Sequence, residues 1–116
     1  MNRSIRVYIA GPYSSGDQVL NVRTAVMAAD ALAELGYVPF IPHLSMLWHA
    51  ISPHEYDFWI SQDLEWLPVC DCVLRLPGES AGADQEVRFA EWRELPVFLT
   101  IRELHEKMQL EKIGKS

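Results

Sequence analysis

The sequence carries only two cysteines, Cys70 and Cys72, with Asp71 between them. That spacing excludes the Cys-x-x-Cys of redox and zinc sites, and no second pair exists to build a disulfide framework. A reducing, cytoplasmic compartment is the simplest expectation, with Cys72 a small buried hydrophobe if it lies on a strand. No segment approaches the roughly 20 apolar residues of a membrane-spanning helix, so no membrane partner is expected. Arg3 and Arg6 precede an apolar run too short for a secretory signal, and no leader is expected either. Basic residues are scarce, 10 Lys and Arg against 16 Asp and Glu, for a formal charge of −6. A general binder of nucleic acid polymers needs a basic stripe and is excluded. A small anion stays possible, because backbone N–H groups hold one without a basic surface. His43, His49 and His54 have spacings that suit no standard metal site, and no cysteine or carboxylate cluster completes one. Neither metal nor cofactor is expected.

What is present reads as one domain over residues 1–116, with 49% hydrophobic residues and no repeat, linker or low-complexity segment. Residues 5–10 are rich in β-branched residues and read as a first strand, followed by a turn-rich loop over 11–17. Val22, Ala25, Val26, Ala29, Leu32 and Ala33 recur at helical spacing, and Gly36 stands where a C-terminal cap belongs. Residues 37–41 form a short strand whose Pro39 points to a sheet edge. The stretch Pro42–Ile51 reads as a loop, unusually apolar and aromatic, that covers something. Ser52, Pro53 and Glu55 predict a capping box that starts a helix running to Leu67. A third strand, a helix to about Leu95, a fourth strand at 96–99 and a capped helix from Thr100 follow. Leu104, Met108 and Ile113 give that last helix its apolar stripe. Strands alternating with helices predict a single-domain, Rossmann-like (flavodoxin-like) three-layer α/β/α fold with a mainly parallel sheet of four to five strands.

The chain is organised around residues 72–86. An apolar strand breaks at Pro77-Gly78 and enters a helix through Ser80, a natural N-cap, and Gly82. Free N–H groups at such a start form an anion site. Glu86 lies four residues after Gly82, about 6 Å further along the same helix face. That is close to the span from a nucleotide's 5′-phosphate to its anomeric carbon. The pattern Ser-x-Gly-x-x-x-Glu alone also fits an ordinary strand-to-helix connection.

A second carboxylate sharpens the reading. Asp63 falls amid the apolar face formed by Tyr56, Trp59, Ile60, Leu64 and Leu67, where it either organises the core or lies at the lip of a pocket. Ligands of an open parallel sheet bind at the carboxyl ends of its strands. Those ends carry Tyr8, the loop Tyr13 to Gly16, His43 to Trp48, and Ser80 to Glu86. Two carboxylates meeting there look like a glycosyl-transfer site, in which one attacks or stabilises an oxocarbenium centre and the other handles the leaving group's proton.

Four segments, Val7-Tyr8-Ile9-Ala10-Gly11-Pro12, Asp63-Leu64-Glu65-Trp66-Leu67, Cys70-Asp71-Cys72-Val73 and Ser80-x-Gly82-x-x-x-Glu86, together resemble the nucleoside 2-deoxyribosyltransferase superfamily. The nearest branch holds the 2′-deoxynucleoside 5′-phosphate N-hydrolases and related small proteins. The resemblance implies an N-glycosidase or deoxyribosyltransferase acting on a nucleoside or its 5′-monophosphate. It makes Glu86 the nucleophile, Asp63 the assistant at base and sugar, and Tyr8 the residue that orients Glu86. Ser80 and Gly82 would hold the 5′-phosphate or 5′-hydroxyl, with Gly11, Ser14, Ser15 and Gly16 beside them. His43 would contact phosphate or ribose and Trp48 would stack on a base, unless both simply pack. A homodimer or larger homo-oligomer is expected from the resemblance, and from Phe58, which sits on its helix opposite the apolar face. The competing readings are a non-catalytic nucleotide-binding module with the same pocket and a structural dimerisation domain.

Overall fold

The alternation of valine and isoleucine with Tyr8 in the first strand sets the architecture, because successive side chains of a strand face opposite ways. The computed structural model describes residues 4–114; Arg3 lies outside them, as does the side chain of Ile113. Strands β1 (Arg6–Ala10), β2 (Val38–Phe40), β3 (Cys72–Arg75) and β4 (Val97–Phe98) form one sheet in the order β2-β1-β3-β4, every pair parallel. This is the flavodoxin-like order. Val7 and Ile9 of β1 and Cys72 and Leu74 of β3 pack against Ala25, Ala29 and Leu32 of helix α1 (Gln18–Glu34) and Leu104 and Met108 of helix α5 (Ile101–Gly114). Tyr8, Ala10 and Val73 face the other way, onto Ala83 and Ala90 of helix α4 (Ala81–Trp92) and the half-buried Leu64 of helix α3 (Tyr56–Trp66). Three layers result.

Local chemistry explains most boundaries. Asp17 caps α1 by accepting from Leu20 N at 3.1 Å, and Gly36, at φ +95°, ends it. The apolar stripe of α1 is narrower than its sequence suggests. Ala25, Ala29 and Leu32 are buried, whereas Val26 and Ala33 are exposed. Small alanines let the helix approach the sheet closely, so only about one residue per turn is covered. Thr100 Oγ1 accepts from Glu103 N at 3.1 Å and starts α5. Strand β2 is an edge strand. Its Val38 N bonds Ile5 O at 2.9 Å, so the next nitrogen, that of Pro39, faces the open side, where no donor is required.

Three expectations are corrected. Residues 42–51 are not a loop: a 3₁₀ turn, Pro42–Leu44, leads into helix α2 (Ser45–Ile51). Ser52 does not begin α3, because its N–H already bonds Trp48 O at 2.7 Å and closes α2. His54 N is likewise taken by His49 Nδ1 at 3.3 Å, so the chain stays extended until Tyr56. Helix α4 stops at Trp92, short of Leu95, since Glu94 adopts φ +62° and Leu95 N closes onto Ala90 O at 2.9 Å.

Candidate active site

Tyr8 is the middle residue of β1 and has no solvent exposure. Its hydroxyl donates to Glu86 Oε2 in the interior. Glu86 sits on the second turn of α4, 5% exposed, with buried Ala83 and Ala90 on the same face. Asp63, half-buried on α3, lies close enough to the Glu86 carboxyl for the two groups to interact. Burial pushes Glu86 up, to about 8, against the Tyr8 hydrogen bond, which favours its anion, and with the charge of Asp63 adding to the rise. Burial also raises Asp63, to about 6, while its interaction with Glu86 opposes the shift. Burial and the two carboxylates raise Tyr8 well above the usual phenol range, so it remains a donor. Near neutral pH the pair shares about one proton and titrates as a unit, offering an acid and a base side by side.

The start of α4 forms the adjoining wall. Ser80 Oγ accepts from Ala83 N at 3.0 Å, and the first intrahelical bond runs from Asp84 N to Ser80 O at 3.0 Å. The N–H groups of Ala81 and Gly82 precede that bond. Arg75 fixes the turn before them through the carbonyls of Leu76 and Gly78 and through Asp84 Oδ1 at 3.0 Å. Gly82 answers to a side chain: a Cβ there would come within 3.1 Å of Tyr56 Oη. Gly11 likewise admits Leu76, whose Cβ would lie 2.9 Å from a Cβ at that position.

The facing wall comes from the loop after β1 and from α2. Asn21 Nδ2 ties the loop to α1 through Tyr13 O at 3.0 Å and Ser15 O at 2.7 Å. His43, 3% exposed, places Nε2 at 3.2 and 3.1 Å from the carbonyl oxygens of Gly11 and Pro12. Carbonyls only accept, so Nε2 carries the proton. His49 has the same tautomer, since its Nδ1 accepts from Trp59 Nε1 at 2.9 Å. The walls enclose a cavity of about 480 Å³, within the usual range for small-molecule sites. Among the described residues no three His, Cys, Asp or Glu side chains group as a metal site needs.

Residues 5–100 match the family described as "Domain of unknown function (DUF7768)". The chain belongs to this family. Among curated proteins nothing matches. A solved structure of the 2-deoxyribosyltransferase from the psychrotolerant bacterium Bacillus psychrosaccharolyticus is similar in fold. It shares 22% identity and a TM-score of 0.58 over 79% of this chain and 69% of that one.

In this DUF7768 domain, Gly11, Ser14, Ser15, His43, Asp63, Ser80, Gly82 and Glu86 all line the cavity, and Tyr8 lies behind it on Glu86. Two expected residues stand elsewhere. Gly16 serves the turn, at φ +81°, and Trp48 packs edge-on against Trp59 with ring centroids 5.0 Å apart. Tyr13, His49, Tyr56 and Trp59 line the cavity without having been singled out for it. The aromatic, apolar character of the segment after β2 was the signal for His49. Tyr56 and Trp59 lay on the same helical face as Asp63. Phe58, expected to be unpartnered, stacks on His54 at 3.9 Å and meets Trp48, because α2 folds back onto α3.

Proposed function

We propose that the protein cleaves the N-glycosidic bond of a nucleoside or nucleoside 5′-monophosphate, as the 2′-deoxynucleoside 5′-phosphate N-hydrolase-like branch would. The observation that carries this reading is the buried, hydrogen-bonded pair Tyr8–Glu86 with the half-buried Asp63 carboxyl beside it, the two carboxyls lining a nucleoside-sized cavity. In the free cavity the shared proton stays mainly with Glu86. Passing it to Asp63 leaves Glu86 as the carboxylate that attacks the anomeric carbon, while the Tyr8 hydroxyl steadies its charge. The C–N bond breaks with its electron pair going to the base, which takes the proton from Asp63. Asp63 then deprotonates water, or a second base in a transfer reaction, as it attacks the glycosyl–Glu86 ester. Among the described residues the cavity lining includes neither lysine nor arginine, so any 5′-phosphate would rest on backbone N–H groups and the hydroxyls of Ser14, Ser15 and Ser80. That charge balance favours an uncharged nucleoside.

A homodimer remains part of this reading on different grounds. Leu47 and Ile51 of α2 are 70% and 83% exposed, an apolar strip that a second copy would cover. The test is a panel of nucleosides and monophosphates scored for free base by chromatography, with and without a second base as acceptor, beside Asp63→Asn. Release of base that Asp63→Asn impairs, most for poor leaving groups, supports the reading. Binding without release would make the domain a non-catalytic nucleotide-binding module.

A further inference from the structure

Among the described residues two buried side-chain polar atoms have no partner within the protein, Tyr13 Oη and His43 Nδ1. Both belong to residues that line the cavity, and their rings meet edge-on with centroids 6.2 Å apart. Buried polar atoms are almost always satisfied, and an exception calls for a reason. Two neighbouring exceptions in a cavity wall point to a ligand.

The two atoms want different things. With Nε2–H committed to Gly11 and Pro12, His43 Nδ1 offers a lone pair alone. Burial lowers the His43 pKa, so the ring stays neutral and Nδ1 remains an acceptor. It therefore takes neither a phosphate oxygen nor a carbonyl; it takes an O–H or N–H. Burial raises the Tyr13 pKa, so its phenol keeps a proton to donate. One group satisfies both: a hydroxyl, which donates and accepts. An exocyclic amine of a base would serve His43 but would leave Tyr13 unpaired, because its nitrogen lone pair is delocalised into the ring. Gly11 and Pro12 directly follow β1, the strand whose Tyr8 holds Glu86. A sugar with its anomeric carbon at Glu86 lies over this end of the sheet.

We propose that His43 Nδ1 and Tyr13 Oη together hold one pentose hydroxyl of the substrate. The proposal rests on the N-glycosidic reading above and narrows the role of His43 to the sugar.

The experiment compares the best-cleaved 2′-deoxynucleoside with its 2′,3′-dideoxy and 2′,5′-dideoxy counterparts and the ribonucleoside, in wild type, Tyr13→Phe and His43→Phe. Wild type should lose about 10- to 100-fold in kcat/KM when one particular hydroxyl is removed. In Tyr13→Phe that discrimination should shrink to within about threefold, and His43→Phe should behave alike. The Tyr13 hydroxyl has no partner among the described residues, so Tyr13→Phe should melt at or above the wild-type temperature. This keeps the test readable if His43→Phe fails to fold. Discrimination that persists unchanged in Tyr13→Phe, or its absence from wild type, overturns the proposal while leaving the glycosidase reading intact. If wild type cleaves none of the four, calorimetry decides. Tighter binding with the hydroxyl, lost in Tyr13→Phe, keeps this inference and removes the catalytic one; no binding removes both.

Discussion

The two faces of the sheet are built from the same strands and do opposite work. Val7, Ile9, Cys72 and Leu74 meet alanines, leucines and a methionine of α1 and α5 in a largely apolar layer, with a polar contact between Tyr37 Oη and His105 Nδ1. One residue away in β1, Tyr8 points into a layer that holds a carboxyl pair, a histidine held in one tautomer and a cavity. Because side chains alternate, stability and chemistry can be assigned to odd and even positions of one five-residue strand. A slip of one residue would exchange them, so the apolar face also fixes the register that delivers Tyr8 to Glu86.

That division is open to breakage, and the largest effect is expected at Glu86. Glu86→Gln keeps the shape and should cost on the order of 4 kcal/mol or more of activation barrier, with ligand binding retained. Free-base release and calorimetry together check it. Relative to wild type, the same variant should gain stability as pH rises. A carboxyl at about 8 when folded, against an ordinary 4.5, keeps its proton in the native state after the unfolded chain has lost it. The Glu86 contribution to wild-type stability is therefore full below the ordinary value and is lost as pH climbs from about 4.5 to about 8, and Glu86→Gln should flatten that part of the slope in thermal melts. A slope as steep as in wild type would show that Glu86 is not the buried acid.

On the opposite face, Leu32→Ala should cost roughly 3 kcal/mol of stability by emptying a fully buried position. Turnover per folded molecule should barely change, as denaturant midpoints beside kcat would show. Next in size, Tyr8→Phe should cut turnover by about 10- to 100-fold through loss of the bond to Glu86. Loss of the Tyr8 hydroxyl also removes a donor that favours the Glu86 anion, so the alkaline limb of the pH–rate profile should move upward. An unchanged profile would sever Tyr8 from the acid–base pair. The smallest effect, and one outside the site, is Glu94→Gly. Relieving φ +62° at the α4 terminus should add about 0.5–1 kcal/mol of stability by denaturant titration, with activity untouched.

Where local chemistry decided the outcome, the sequence was a sufficient guide. Gly36, Ser80 and Thr100 mark helix ends in the primary structure and in the fold, and Pro39 marks an edge. Asp63 was legible as a carboxylate on an apolar face, and its approach to Glu86 follows from packing α3 and α4 on one side of the sheet. What could not be read was competition. Ser52 carries every mark of an N-cap, yet a neighbouring turn already holds its N–H. The indole of Trp59 and the backbone of His54 both reach His49 only once α2 and α3 have folded together. For the same reason Phe58 was read as facing away from the apolar side and Trp48 as a residue that stacks on a base or packs. Their partners are each other.

The edges of the sheet carry one more consequence. At one side an approaching strand finds β2, three residues long, with the proline nitrogen of Pro39 turned outward; at the other it finds the two residues of β4. Both rims are poor templates for a further strand, which disfavours joining sheets edge to edge and leaves the helical surfaces as the better ground for assembly. The molecule can carry a largely apolar, fully parallel sheet at high concentration without inviting the cross-strand growth that leads to fibres.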